Sequence, residues 1–212
     1  MNIRLLCRDD CLAVCVKPVG VDSESELCAL LSEQTGSRAY CVHRLDRGVG
    51  GVMVYALSPA SAAALSRSVA EGLLRKEYLA VCEGRPRAAS GELRDLLYHD
   101  AAKNKSFVVQ RKRRGVREAV LDYRSLETAE GLTLLQIALH TGRSHQIRVQ
   151  CASRGLPLCG DGRYGAKTRG GVALWSYSLA FPHPESGETL CFQALPPCAP
   201  PWSGFTELSA ST

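Results

Sequence analysis

Leu12 to Lys17 is an almost unbroken apolar run closed by Pro18-Val19-Gly20, the pattern of a short buried strand stopped by a turn. Glu26 to Glu33 carries helical spacing and predicts a short helix ended near Gly36. A glycine-rich bend, His43 to Gly51, leads into Val52-Met53-Val54-Tyr55-Ala56, a second buried strand. Ser58-Pro59 opens the clearest helix, with serine as cap and proline at the first helical position. Leu65, Val69 and Leu73 follow at four-residue spacing and are expected to line its buried face, with Gly72 near its end.

Tyr78 to Val81, Ser106 to Gln110, Glu118 to Tyr123 and Thr133 to Ala138 then read as strands. Ser144 is placed to cap a second helix running to Arg154, with Gly155 just past its end. The last third is strand and turn, ending in Pro196-Pro197 and Pro200-Pro201. Strand-rich segments joined by few helices predict an α+β fold built on a mostly antiparallel sheet. No repeat, low-complexity tract or polar linker divides the chain.

Composition narrows the function classes only a little. The chain has 212 residues, 45% hydrophobic and 22% charged, ordinary values for a soluble globular protein with a sizeable core. A net charge of +5 permits a polyanionic partner. Charged residues from Arg4 onward leave no signal peptide in view, and no apolar run approaches the roughly 20 residues that cross a bilayer. Ten cysteines occur without a Cys-x-x-Cys pair, which predicts reduced, mostly buried thiols in a cytoplasmic protein and no metal site.

The densest candidate chemistry is His43-Arg44-Leu45-Asp46-Arg47-Gly48-Val49-Gly50-Gly51. It holds a carboxylate between two arginines, on a bend that a buried strand fixes in place. Neighbouring positive charge favours a charged carboxylate, which suits a nucleophile better than a proton donor. A loop aspartate in a structural ion pair fits the local pattern equally well.

His43-Arg44-Leu45-Asp46 with its glycines resembles the signature of the RluA-type RNA pseudouridine synthases. Three further segments agree in the family's order: Arg75-Lys76-Glu77-Tyr78, Gly142-Arg143-Ser144-His145-Gln146-Ile147-Arg148, and Gly155-Leu156-Pro157-Leu158-Cys159-Gly160-Asp161 with Tyr164-Gly165. The resemblance covers about residue 10 to residue 197. It implies one catalytic domain over residues 1–212, built on a mixed sheet with a central cleft and flanking helices. Its reaction isomerises uridine in RNA to pseudouridine and requires no cofactor. The Leu5-to-Lys17 segment looks like the start of that domain, which leaves no room for the separate RNA-binding domain of the S4 type that many members carry.

The resemblance also assigns residues. Asp46 matches the catalytic aspartate, Tyr78 the active-site tyrosine, and Arg148 the arginine that pairs with that aspartate. Arg44 matches an arginine that occupies the space vacated by a flipped base. His43 and His145 are read as structural hydrogen-bonding residues and Asp161 as a turn residue. The family's aspartate–x–x–threonine–serine–glycine run is here Asp46-Arg47-Gly48-Val49-Gly50-Gly51, so both hydroxyls are missing. The expected partner is structured RNA, rRNA or tRNA, bound by a monomer, with no DNA and no membrane. Arg111, Lys112, Arg113 and Arg114 are expected at a hairpin tip that touches RNA. The alternative is a catalytically inactive RNA-binding relative, against which Asp46, Tyr78 and Arg148 stand together.

Overall fold

The computed structural model describes residues 1–209. In chain order its elements are β1 (Arg4–Arg8), β2 (Leu12–Lys17), α1 (Glu26–Thr35), β3 (Tyr40–Cys41), β4 (Gly50–Ala56), α2 (Pro59–Ala70) and β5 (Arg75–Glu83). There follow β6 (Ser90–Asp100), β7 (Lys105–Val109), β8 (Val116–Ala129), β9 (Leu132–Leu139), α3 (Gln146–Ala152), β10 (Leu174–Pro182), β11 (Thr189–Gln193) and the short α4 (Thr206–Ser209). The fold class is α+β with few helices, as the strand-rich pattern predicts. The chain gathers into two compact units, residues 1–77 with 175–196, and residues 78–174 with the segment from 197 onward.

The first unit is built around β4, whose seven residues are all buried. Along one edge β4 pairs antiparallel with β2, from Leu12 opposite Ala56 to Lys17 opposite Gly51, and β1 extends that ladder. Its other edge is shared. β3 lies antiparallel at the Ala56 end, while β10 runs parallel at the Gly50 end and carries β11 beyond it. That parallel pair makes the fold mixed rather than purely antiparallel. Leu12, Val14, Val52, Val54, Leu65, Leu179 and Phe181 form its core.

α2 starts where serine and proline predict, with the Ser58 hydroxyl accepting the N–H of Ser61 at 3.1 Å. Its fully buried residues are Ser61, Leu65 and Ser68, and Val69 packs half-buried against the same core as predicted, whereas Leu73 does not. Gly72 takes a left-handed φ of 73° and turns the chain, so Leu73 is 49% exposed and Leu74 goes inward.

The second unit carries the strand order β5-β9-β8-β6-β7. β6, eleven residues long, has no counterpart in the strands the apolar pattern predicts, because its charged residues hide the alternation. It pairs with β7 on one side, from Leu96 opposite Val109 to Asp100 opposite Lys105, and with β8 on the other. The hairpin is therefore β6–β7, turning through residues 101–104. Residues 110–115, which hold Arg111 to Arg114, are not a hairpin tip but a loop that crosses β6 from its β7 side to its β8 side.

α3 is shorter than predicted. His145, at a left-handed φ of 54°, precedes it, and no side chain caps it. Ser144 instead gives its carbonyl to the Ser106 hydroxyl at 2.5 Å. Gln150 ties α3 to β6, its amide donating to Leu93 O at 3.1 Å and to Asp95 Oδ2 at 2.7 Å.

Candidate active site

Asp46 sits half-buried on the loop between β3 and β4. Two buried apolar anchors flank it, Leu45 at 6% exposure and Val49 at 2%. The Asp46 carbonyl accepts the N–H of Val49 at 2.9 Å, which closes a tight turn around the carboxylate. Ser23, itself buried, brackets Leu45: its hydroxyl donates to Leu45 O at 2.9 Å and receives the Leu45 N–H at 3.2 Å. Tyr55 on β4 holds Ser23 in turn through its carbonyl, at 2.8 Å.

Lys17 pins the other side of the loop. The last residue of β2, it is fully buried, and its ammonium donates to Val21 O at 2.7 Å, Pro18 O at 2.9 Å and Arg47 O at 3.3 Å. Burial brings its pKa down to about 8, with Asp22, Asp46 and Glu26 pulling the other way and Arg47 adding to the fall. Sequence reasoning passed over this residue, because a lysine ending a strand normally reaches water.

The arginines flanking Asp46 spend their charge elsewhere. Arg44 Nη1 is 2.9 Å from Glu24 Oε2, while Arg47 donates through Nε to Gly20 O at 2.6 Å and reaches Glu26 Oε2 at 3.4 Å. They fasten the loop to the acidic start of α1. There Asp22 accepts the N–H groups of Glu24 and Ser25 at 3.0 and 2.8 Å, bonds that hold its carboxyl below the usual range. The Arg44 pair is exposed on both sides, so its contribution to stability is small and Arg44 can exchange partners readily.

One of the two missing hydroxyls, the serine's, has a structural counterpart. A Cβ on Gly50 would lie 2.4 Å from the Trp175 ring, so that buried indole fills the space a serine side chain would need. Trp175 is fixed by its own bond, Nε1 to Ala194 O at 2.8 Å. Gly51, at φ 119°, lets β4 approach the Ser176 backbone, which a Cβ would meet at 2.2 Å.

Tyr78 and Arg148 belong to the second unit. Tyr78 is buried on β5. Arg148 on α3 is gripped by Asp161, Nε to Oδ2 at 2.6 Å and Nη2 to Oδ1 at 2.8 Å. Asp161 is thus a partner of the arginine and not the plain turn residue its glycine-rich surroundings suggest. The guanidinium also lies over the Tyr164 ring, 5.2 Å from its centre. The Tyr164 hydroxyl accepts the Ser106 N–H at 2.8 Å and lies 3.0 Å from His145 Nδ1, so His145 acts as a support. The basic loop is exposed from Arg111 to Arg114, with the Arg113 guanidinium 5.0 Å from the centre of the Tyr98 ring.

One group of side chains has the makings of a metal site. Asp9, Cys11 and His183 offer ligand atoms within 4.8 Å of one another. Both imidazole nitrogens are already used. Nδ1 accepts from the N–H groups of Glu185 and Ser186 at 3.3 and 3.2 Å, which places the proton on Nε2, and Nε2 donates to Asp9 Oδ2 at 3.1 Å. A ligating nitrogen must be unprotonated, so this arrangement suits a hydrogen-bonded clasp better than a cation.

The first unit thus holds one carboxylate on a fastened loop, and the second holds an arginine braced by a buried carboxylate. Residues 12–153 match the model of the RNA pseudouridylate synthase family, and the chain belongs to that family. Among curated relatives it is 36% identical to an uncharacterised RNA pseudouridine synthase of Mycobacterium bovis, over 69% of this chain and 49% of that one. It is 31% identical to the ribosomal large subunit pseudouridine synthase D of Nitrosomonas europaea, over 91% and 61%. The chain spans about half the length of the first of these. In fold it is similar to human RNA pseudouridylate synthase domain containing 1, with a TM-score of 0.81 at 21% identity, over 94% of this chain and 85% of that one.

Proposed function

We propose that this protein isomerises uridine to pseudouridine in structured RNA, ribosomal or transfer RNA, with Asp46 as the catalytic aspartate. The observation that carries the reading is the loop around Asp46, nailed down by Ser23, Lys17 and the buried Leu45 and Val49 so that one carboxylate keeps a fixed place.

The reaction breaks the bond from uracil N1 to ribose C1′, turns the base and joins C5 to C1′. The C5 proton leaves and N1 regains one, so atoms balance without an oxidant, reductant or group donor. Asp46 supplies the carboxylate on which bond cleavage depends. Tyr78 offers a ring on which an extruded uracil stacks. Arg148, held by Asp161 and Tyr164, keeps a fixed guanidinium for the site. Arg44 takes the space vacated by the flipped base, the Arg111–Arg114 loop holds the RNA backbone, and the enzyme works as a monomer.

The test is incubation with uridine-containing ribosomal and transfer RNA, followed by mass spectrometry of the digested nucleosides. Pseudouridine formed with no free uracil released supports the reading. Free uracil would make the protein a hydrolase, and unchanged RNA of both kinds would leave it a binding protein.

A further inference from the structure

Glu83, the last residue of β5, holds one end of a loop through a single carboxylate. Its Oε1 accepts the Lys167 N–H at 2.8 Å, the Thr168 N–H at 2.7 Å and the Thr168 hydroxyl at 2.7 Å. Oε2 lies 3.0 Å from the same Lys167 nitrogen. Burial by itself would raise this carboxyl, but the N–H groups of Lys167 and Thr168 more than offset it and hold it below the usual range. Having donated to Glu83, the Thr168 hydroxyl accepts the Gly160 N–H at 2.8 Å. Residues 160 and 168 are thereby tied together. Gly160 sits at φ 75°, where a Cβ would run into the Gly171 carbonyl, so the chain closes tightly at this neck.

The loop so closed carries both groups that hold Arg148. Asp161 follows Gly160 directly and grips the guanidinium, and its own carbonyl accepts the N–H groups of Tyr164 and Ala166 at 3.0 and 3.2 Å. The guanidinium lies over the Tyr164 ring. Hydrogen bonds and one peptide link therefore run from Glu83 through Thr168 and Gly160 to Asp161 and Arg148. Every member belongs to the second unit.

We infer that Glu83 is a positioning residue for turnover: with Thr168 it sets the place of Asp161 and Tyr164, and through them the orientation of Arg148. The inference rests on the RNA-modifying reading above. Glu83 acts through the arginine and needs no contact with RNA. A carboxylate that only stapled the fold would affect stability without regard to which residue stands at position 148.

The experiment is single-turnover kinetics over a range of RNA concentrations, with urea unfolding alongside. It compares the parent, Glu83→Gln, Glu83→Ala and Thr168→Val, and the last two again in an Arg148→Lys background. Glu83→Ala and Thr168→Val lower the saturating rate about tenfold and leave the half-saturating RNA concentration within about twofold, because orientation is lost and binding is not. Glu83→Gln keeps a carbonyl oxygen for the same three donors and holds the rate within about threefold of the parent. In the Arg148→Lys background the two-pronged grip has already gone, so Glu83→Ala and Thr168→Val change the rate by less than about twofold.

A second tenfold loss in that background would overturn the inference, since Glu83 would then act independently of the arginine. Weaker RNA binding at a parental saturating rate would overturn it as well. Thr168→Val leaves the backbone bonds to Glu83 in place, so it decides alone if Glu83→Ala is unfolded, and a parental rate in it sinks the inference. A parent that forms no pseudouridine overturns the underlying reading instead.

Discussion

Arg148 and Asp161 are locked in a two-pronged ion pair, with the arginine side chain 9% and the carboxylate side chain 1% exposed. A planar fork of this kind fixes the guanidinium in orientation as well as place, which a lysine cannot reproduce. Arg148→Lys is expected to lower turnover by about 10²-fold, the usual scale for one misplaced charge-stabilising group. Single-turnover kinetics on a modifiable RNA checks this. Asp161→Asn takes a buried carboxylate's charge away from the guanidinium and is expected to cost about 3–5 kcal/mol in urea unfolding.

Asp46→Asn keeps the shape of the side chain and removes its charge and reactive oxygen. Turnover should fall by about 10³-fold or more, with RNA affinity within about threefold and thermal stability close to the parent. Activity within tenfold of the parent would remove Asp46 from the catalytic role.

Replacing Arg111, Lys112, Arg113 and Arg114 with alanine should weaken RNA binding and flatten its salt dependence, by about 0.7 for each phosphate that these side chains neutralise. All four side chains lie on exposed loop, so melting temperature should barely move. A parental salt slope in the quadruple variant would assign the loop to solubility alone.

Gly50→Ser restores the residue type that the family's run has at this position, yet here it meets the Trp175 ring. The substitution should destabilise by about 1–3 kcal/mol, the usual cost of overfilling a packed core. Thermal denaturation measures it, and an unchanged melting temperature would mean that the indole moves aside at no cost.

Alkaline pH provides a further test. Burial raises the thiols of Cys15, Cys82 and Cys151 to about 12, above the ordinary value of 9.0. Unfolded thiols lose protons first, so the stability these groups contribute is present below pH 9 and drains away between about 9 and 12. Lys17 has the opposite sign: its pKa, lowered to about 8 from 10.5, makes stability rise between those two values. Three thiols outweigh that lysine. Unfolding free energy should therefore fall above pH 9, by at most about 1.4 kcal/mol per pH unit for each net proton. Urea titrations from pH 7.5 to 10.5 follow it, and the Cys82→Ala variant should show a shallower decline.

The local code was readable wherever a residue acts through its neighbours in sequence. β2 spans Leu12–Lys17 as its apolar run and closing turn predict, and Ser58-Pro59 starts α2 because capping depends on three or four consecutive residues. Gly36, at φ 71°, ends α1 for a similarly local reason. The loop bearing Asp46 stood out because glycines and flanking arginines cluster within nine residues. By itself the sequence thus determined the strand-rich class, the main caps and the motifs that mark the family.

Partnership across distance was decided only by the tertiary structure. Arg44 and Arg47 adjoin Asp46 in sequence but pair with Glu24 and Glu26, and Arg148 meets Asp161 across an intervening turn. β7 and β8 are consecutive strands, yet β6 lies between them, which turned a supposed hairpin tip into a crossing loop. Lys17, Ser23 and Trp175 carry no local mark of their roles. Charge pairing and packing depend on which groups are brought together and deprived of water, and the chain acquires those neighbours only on folding.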